Sequence, residues 1–474
     1  MNEKINIALN EISEKHIAQA AKKPHNKKLT FFGAIAAVLA VVLLLNSGIK
    51  MPITAKAVAL AATPRIGQRP DIGDYPDRDA WRADLDLWEA ERTERLNNVK
   101  NALSSGLSYY QNTNQAFLGN ANGTNQVWSP VNGYISLAIL AETTGGETRQ
   151  EILNLLGVDS LETLREEVSS LWESVYRDNG KEICVLANSL WLDMDLNYNQ
   201  DTMDALAEHH YASIYQGNLG SASTNNAIQT WLNNQTGKFL SNEIGSVQLP
   251  SDTLLALIST VYLQSQWIET AKFSSSQNTK EVFHSPSGDT VCTFMNKKLM
   301  MTYYYWGEDF GAISLGMKNG CRMWFILPDT DKTTEDVLSD PQHLQMITDP
   351  SSYDDTNGKY MKVNLSLPKF DVRSTNDLKA GLKDLGITKV FDLEEADFTP
   401  ASDTDIIYVP RIQQTARVAI DEEGVTAASY IIIPGATSPA PPDEIIDFIL
   451  DRPFLFAITN DNGIPVFTGV VNQP

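Results

Sequence analysis

The sequence predicts an α+β domain of roughly 370 residues, about 101–474, preceded by one membrane-spanning helix. Three observations lead there: helical spacing of apolar residues dominates the first part of that stretch, β-rich apolar runs dominate the later part, and an uncharged run precedes both. Of the 474 residues, 42% are hydrophobic and 20% charged, an ordinary globular mix that excludes whole-chain disorder, collagen and coiled coil. With 37 basic against 59 acidic residues the net charge is −22, which repels phosphate and argues against general nucleic-acid binding. Cys184, Cys292 and Cys321 are an odd, sparse set without a CxxC; they exclude a disulfide framework and a structural zinc site and read as small buried hydrophobes.

The uncharged run covers residues 29–45, and a transmembrane helix or signal anchor is expected over 29–46. At ~1.5 Å per residue the run spans about 25 Å, the minimum for a hydrocarbon core. Lys22, Lys23, Lys27 and Lys28 precede it, while only Lys50 and Lys56 follow closely. The positive-inside rule therefore makes 1–28 a cytoplasmic segment and places everything after about residue 50 outside the cell. A cleaved signal peptide is the rival reading. Against it, the leader is long, carries Glu3, Glu11 and Glu14, and its Ala-x-Ala triplets at 55–57 and 59–61 lie well past the run. Residues 47–100 read as an extracellular tether that ends in a short amphipathic helix over 81–96, with Trp81, Leu85 and Trp88 on one face.

Within 101–474, helices are expected at 103–117, 131–142, 148–156, 161–177 and 203–209, with Gly119 and Gly157 as stop signals. Strands are expected at 254–263, 312–315, 323–327, 361–367, 406–420, 454–458 and 464–471. One late helix, 376–385, carries Leu378, Leu382 and Leu385 at helical spacing before Gly386.

The sequence has no HExxH, GxSxG, GxGxxG or phosphate-loop motif. Its six histidines offer little: His16 and His25 lie on the cytoplasmic side, and nothing local supports a triad around His284 or His343. His209 and His210 are adjacent on a helix, point about 100° apart and cannot easily share a metal. Both an enzyme and a passive adhesion module are therefore disfavoured, and no cofactor or metal is expected.

The informative segment follows the strand at 406–420. Asp421-Glu422-Glu423-Gly424 leads into Val425-Thr426-Ala427-Ala428-Ser429-Tyr430-Ile431-Ile432-Ile433, then into a proline-rich stretch ending at Pro442. A long exposed loop whose stem has β-propensity is unusual in a compact domain, and such loops carry function; an ordinary long hairpin connection is the bland alternative.

This segment resembles the hinge of serpins, and Phe448-Ile-Leu-Asp-Arg-Pro-Phe-Leu-Phe-Ala-Ile resembles their C-terminal signature, followed by Phe467-Thr-Gly-Val-Val-Asn-Gln-Pro. Trp128-Ser-Pro-Val, Leu257-Ile-Ser-Thr-Val-Tyr-Leu ending at Trp267, Leu367-Pro-Lys-Phe, Leu385-Gly-Ile-Thr-Lys-Val-Phe and Ala396-Asp-Phe match too, in family order across 101–474. The resemblance implies a single serpin domain of bacterial type with a large central sheet, smaller sheets, about eight or nine helices and an exposed reactive loop. It implies an inhibitor of serine proteases, with cysteine proteases as a second class: the protease attacks the loop, an acyl-enzyme forms, and the cut loop enters the main sheet as a new strand, a known family behaviour.

The resemblance assigns Glu422, Glu423, Gly424, Val425, Thr426, Ala427, Ala428 and Ser429 to the hinge and the start of the loop. Insertion needs alternate residues to fit beneath a sheet. Val425, Ala427, Ser429, Ile431 and Ile433 suit the covered face, and the bulky Tyr430 falls in the other set. No proline or charge interrupts 425–433. Extended at ~3.3 Å per residue, 425–438 reaches about 46 Å. At ~1 kcal/mol per ladder hydrogen bond, insertion releases on the order of 10–15 kcal/mol, so the uncut fold must be metastable.

Family loop length puts the attacked residue near Ser438. Proline blocks the leaving side of Ser438-Pro439, which favours Ala436-Thr437 or Thr437-Ser438. Small residues there suit elastase-like or subtilisin-like proteases rather than trypsin-like ones.

The resemblance also assigns Lys369 and Trp267 to the breach at the top of the sheet, with a Lys369–Glu422 salt bridge, and Ser129, Asn132, Ser259 and Gln414 to the shutter beneath it. Asn132 stands where a second serine is usual, Ser259 where asparagine is usual, and Gln414 where histidine is frequent. All three are polar, so a rewired network is expected. Ser129-Pro130 also reads as an N-cap before a helical proline, and Trp267 as core. The expectation is a membrane-tethered, extracellular, monomeric protease inhibitor. A non-inhibitory serpin acting as a binding module is the alternative, favoured by Tyr430, the three isoleucines and the altered shutter.

Overall fold

The computed structural model describes residues 55–62, 70, 72–178, 183–236, 247–318, 320–349, 357–403, 407–409, 412–425 and 442–474. The expected membrane helix at 29–46 lies outside the described residues, and among those no helix is long and apolar enough to cross a membrane.

Ten α-helices are described: α1 Arg78–Ser105, α2 Leu107–Leu118, α3 Pro130–Thr143, α4 Gly146–Leu156, α5 Leu161–Val175, α6 Gln200–His209, α7 Ala222–Gln235, α8 Thr334–Ser339, α9 Gln345–Thr348 and α10 Lys379–Asp384. Local chemistry sets their ends. The Asp77 carboxylate accepts the amides of Asp79 and Ala80 to open α1, and the Ser160 hydroxyl accepts that of Thr163 to open α5. Gly157, at φ +76°, closes α4 with its Cα so near Ser105 that a Cβ would sit 2.3 Å from that carbonyl oxygen. Helix α3 is buried on nearly its whole circumference because it packs against α4, α5, α6 and strands of two sheets.

The first sheet runs β1 (Ala55–Ala59), β5 (Ala212–Gly217), β4 (Ile183–Asp193), β6 (Leu255–Gln266), β14 (Gly424–Val425), with β3 (Arg177–Asp178) on β4. The second runs β15 (Ile445–Ile449), β11 (Gly358–Pro368), β8 (Gly288–Trp306), β9 (Phe310–Gly316), β10 (Arg322–Pro328), β16 (Phe454–Thr459), β17 (Pro465–Val471), β2 (Gln126–Trp128), with β7 (Thr279–Ser285) on β8. Strands β12 (Phe370–Asp377) and β13 (Gln413–Ile420) form a separate antiparallel pair. Every residue of β16 and β17 is buried, which is why this stretch reads as continuous apolar sequence rather than as an alternation.

Several expectations are corrected. The short helix at 81–96 and the start of the next merge into the 28-residue α1, and α2 begins only after Gly106. The late helix starts at Lys379, because Asn376 and Asp377 pair with Gln414 and Gln413 at the end of β12. Of the strand expected at 406–420, Gln413–Ile420 is strand, and the described residues 407–409 and 412 are not. Strands β4 and β5 sit among the early helices, so the helices-then-strands order is looser than expected.

Within the span read as a tether, Ala55–Ala59 adds an antiparallel strand to the β5 edge. It is fastened further by the Ala62 amide on the Ala207 carbonyl at 2.8 Å. Covering an edge in this way removes a row of pairing groups. Comparing chains that begin at residues 53 and 63, the shorter is expected to melt about 2–6 °C lower and to self-associate. Equal melting and monodisperse elution of both would contradict a structural role for β1.

Candidate functional site

Strand β13 alternates outward and buried residues up to Ile420, and the chain then turns at Asp421. The Asp421 carboxylate accepts the amides of Glu423 (2.9 Å) and Gly424 (3.2 Å), while its own amide donates to the Gly424 carbonyl (3.0 Å). Gly424 has φ +147°, and a Cβ there would lie 2.3 Å from the Ser265 carbonyl oxygen, so only glycine fits. The chain then lays Gly424 opposite Gln266 and Val425 opposite Ser265 as β14.

The turn is held from several sides. The Trp267 indole donates to the Asp421 carbonyl at 2.9 Å, the Trp267 amide to Glu423 at 3.0 Å and the Phe273 amide to Glu422 at 3.2 Å. Lys369 Nζ stands 2.6 Å from Glu422 Oε1, which also accepts from the Asn278 amide group at 2.5 Å. Lys272 pairs with Glu423 at 2.7 Å. Burial works against the Glu422 charge, but Lys369 and Asn278 outweigh it and hold the carboxyl below its ordinary value. Trp267 is fully buried, so the indole that meets the Asp421 carbonyl also packs in the core.

Below this turn, Ser259 Oγ lies 2.5 Å from Asn132 Oδ1 and 2.6 Å from Asn188 Oδ1. One hydroxyl proton serves only one of these oxygens. With the Asn188 amide turned over, its Nδ2 donates to Ser259 Oγ while the Ser259 hydroxyl donates to Asn132. Gln414 closes a two-bond ring on Ser129, accepting its amide at 2.7 Å and donating to its carbonyl at 3.2 Å. Ser129 stands at the N-cap of α3, but contrary to the capping expectation its hydroxyl donates to the Val466 carbonyl at 2.6 Å. The three positions that depart from family usage are thus connected across α3, β4, β6 and β13.

Sequence reading missed Asn188, Asn278 and Asp421 as partners. Asn188 faces Ser259 directly in the β4–β6 register, a relation that exists only once β4 is paired. Thr426, Ala427, Ala428, Ser429, Ala436, Thr437, Ser438 and Pro439 lie outside the described residues.

Among the described residues no His, Cys, Asp or Glu group is arranged to hold a metal. His210 is buried beside Glu142 at 3.1 Å, and Arg165 grips the same carboxylate with two nitrogens at 2.6 and 2.9 Å. Burial opposes the Glu142 charge, yet these partners bring its pKa down to about 2, which marks a structural ion cluster. The contacts around Glu422 fasten the 421–424 turn to Trp267, Phe273, Asn278 and Lys369. Strand β6 pairs with β4 on one side and, among the described residues, ladders only with β14 on the other, while β13 ladders only with β12.

The Glu422 shift gives a pH test. A carboxyl with a depressed folded pKa contributes stability above its unfolded value, about 4.3, and loses that contribution as pH falls through the folded value. Lys369→Met is expected to destabilise by up to about 1 kcal/mol at pH 6, discounted for the partial exposure of Lys369. Its melting gap from the parent should close as pH falls to about 3. A gap unchanged over that range would contradict the assignment.

A family model described as "Serpin (serine protease inhibitor)" matches residues 104–474. Serpin-Z1C of Triticum aestivum is 25% identical over 74% of this chain and 90% of its own length. Plasminogen activator inhibitor 1 of Sus scrofa is 26% identical over 74% and 87%. Among solved structures, the thermophilic serpin tengpin in its native state superimposes with a TM-score of 0.69 at 20% identity, over 89% of this chain and all of that one. Thyroxine-binding globulin with thyroxine gives 0.65 at 19%, over 78% of this chain and 99% of that one. Likeness at that level shows the fold, and the spread from wheat to pig does not single out the bacterial type expected above. With the family model matching residues 104–474, most of its length, the chain belongs to the serpin family.

Proposed function

We propose that this protein is a suicide inhibitor of serine proteases, tethered at the outer face of a membrane by residues 29–46. The observation that carries the reading is the two-residue foothold of β14 at the end of β6, beside a β13 that shares no ladder with β6 among the described residues. A strand continuing from Val425 in the same direction would run down β6 between the two. The small residues Thr426, Ala427, Ala428 and Ser429 suit that path, with Val425, Ala427, Ser429, Ile431 and Ile433 alternating on one face. Ala436, Thr437 and Ser438 provide the bait for an elastase-like or subtilisin-like enzyme, and Pro439 disfavours cleavage after Ser438. The inhibitor works as a monomer and without cofactor, since the energy comes from its own strand.

The test mixes residues 53–474 with pancreatic elastase and with subtilisin and resolves the products on a denaturing gel. The expected result is a covalent band of summed mass, with cleavage between Ala436 and Ser438. Cleaved inhibitor without any such band from either enzyme would overturn the inhibitory reading in favour of a binding module.

A further inference from the structure

The outer face of the second sheet carries a patch that the contacts around Glu422 do not use. In the β8–β11 ladder, Met361 faces Thr302 but Val363 faces Leu299, so Met300 and Met301 both stand against Lys362 in a bulge. The bulge turns both methionines outward, with Met300 56% and Met301 37% exposed. On the far side of Lys362, β15 pairs in parallel and places Ile445, 61% exposed, in the same row. Tyr360, 55% exposed, adjoins that row and stacks edge-on against Tyr303 at 5.1 Å. Four large apolar side chains therefore lie in the open around one lysine stem. Contiguous exposed apolar surface of this kind marks a contact site, and methionine adapts to irregular partners.

Its place in the chain says what covers it. Thr437 is eight residues before Ile445, so even a fully extended chain separates them by at most about 29 Å. A protease of about 250 residues has a radius of gyration near 18 Å and a body about 45 Å across. An enzyme with its catalytic cleft closed on 436–438 is large enough to reach β15 and the bulge beside it. We infer that Met300, Met301, Tyr360 and Ile445 form an accessory docking surface for the body of the protease held on the loop, selecting enzymes with an apolar rim next to the cleft. This inference rests on the inhibitory reading of the loop and adds a second determinant of specificity to it.

The experiment measures second-order rates of inhibition of pancreatic elastase and of subtilisin by residues 53–474, by the double variant Met300→Ser/Met301→Ser and by Val291→Ser. Val291 is 66% exposed on the same strand but pairs with Val282 on β7, about 30 Å along β8 from the bulge. The expected result is at least a tenfold loss for the double variant with one or both enzymes, no change for Val291→Ser, and unchanged yield of covalent complex once formed. If the parent forms the complex and the double variant matches its rate with both enzymes, the docking surface is overturned and the loop reading stands. If the parent forms no complex with either, the loop reading falls and takes this inference with it.

Discussion

The structure turns on the boundary between the first sheet, which ends in β6 and β14, and the separate pair β12–β13. Strand β6 is committed to β4 along its length, β13 is committed to β12, and the only described ladder on the inner edge of β6 is the pair Gly424–Gln266 and Val425–Ser265. Backbone amides and carbonyls are obligatory hydrogen-bonding groups, so a slot between two strands is a standing demand for a third. On the proposed reading the chain meets that demand by two residues and keeps the rest in reserve. Gly424 enforces the stop: its positive φ and its closeness to the Ser265 carbonyl fix the point at which the chain leaves the turn and meets β6.

Two sets of contacts hold this arrangement by different physics. At the top, Lys369, Asn278 and Lys272 pair with Glu422 and Glu423, contacts that are partly solvated and individually weak. Trp267 supplies the firm part, because a buried indole that donates to the Asp421 carbonyl cannot give up that bond without leaving a polar group stranded. Lower down, the Asn132–Ser259–Asn188 cluster ties α3 to β6 and β4, and the Gln414–Ser129 ring ties β13 to the start of α3. These two groups of bonds meet through α3, one from the β4–β6 side and one from β13. Residues of unusual type for the family thus serve a joining role through different donors and acceptors.

How much of this was legible depends on whether the signal was local. Strands β16 and β17 announce themselves because burial on both faces leaves unbroken apolar runs, and α3 and α5 because their boundaries are chemical: Pro130 opens one and Ser160 caps the other. Strand β4 was missed because Asn188 and Ser189 break its apolar run, and their burial makes sense only beside β6. The 19-residue β8 has no clean alternation in its sequence, because Val291, Met300 and Met301 are exposed beside Asp289 and Lys298 while Phe294 and Met295 are both buried. The alanines of β1 favour helix by propensity, and only the β5 edge makes them a strand. At the site, Lys369 and Glu422 were legible through family resemblance, whereas Asn188 and Asn278 have no signature apart from the register that places them.

On the proposed reading, the segment after Val425 is more stable laid along β6 than anywhere else. Thermal melting of residues 53–474 before and after a single cut between Ala436 and Ser438 tests it most directly. If the freed strand enters the sheet, the nicked protein melts at least about 20 °C higher, reflecting the new ladder and the side chains it buries. A nicked protein that melts at the same temperature as the intact one, or lower, would contradict the account.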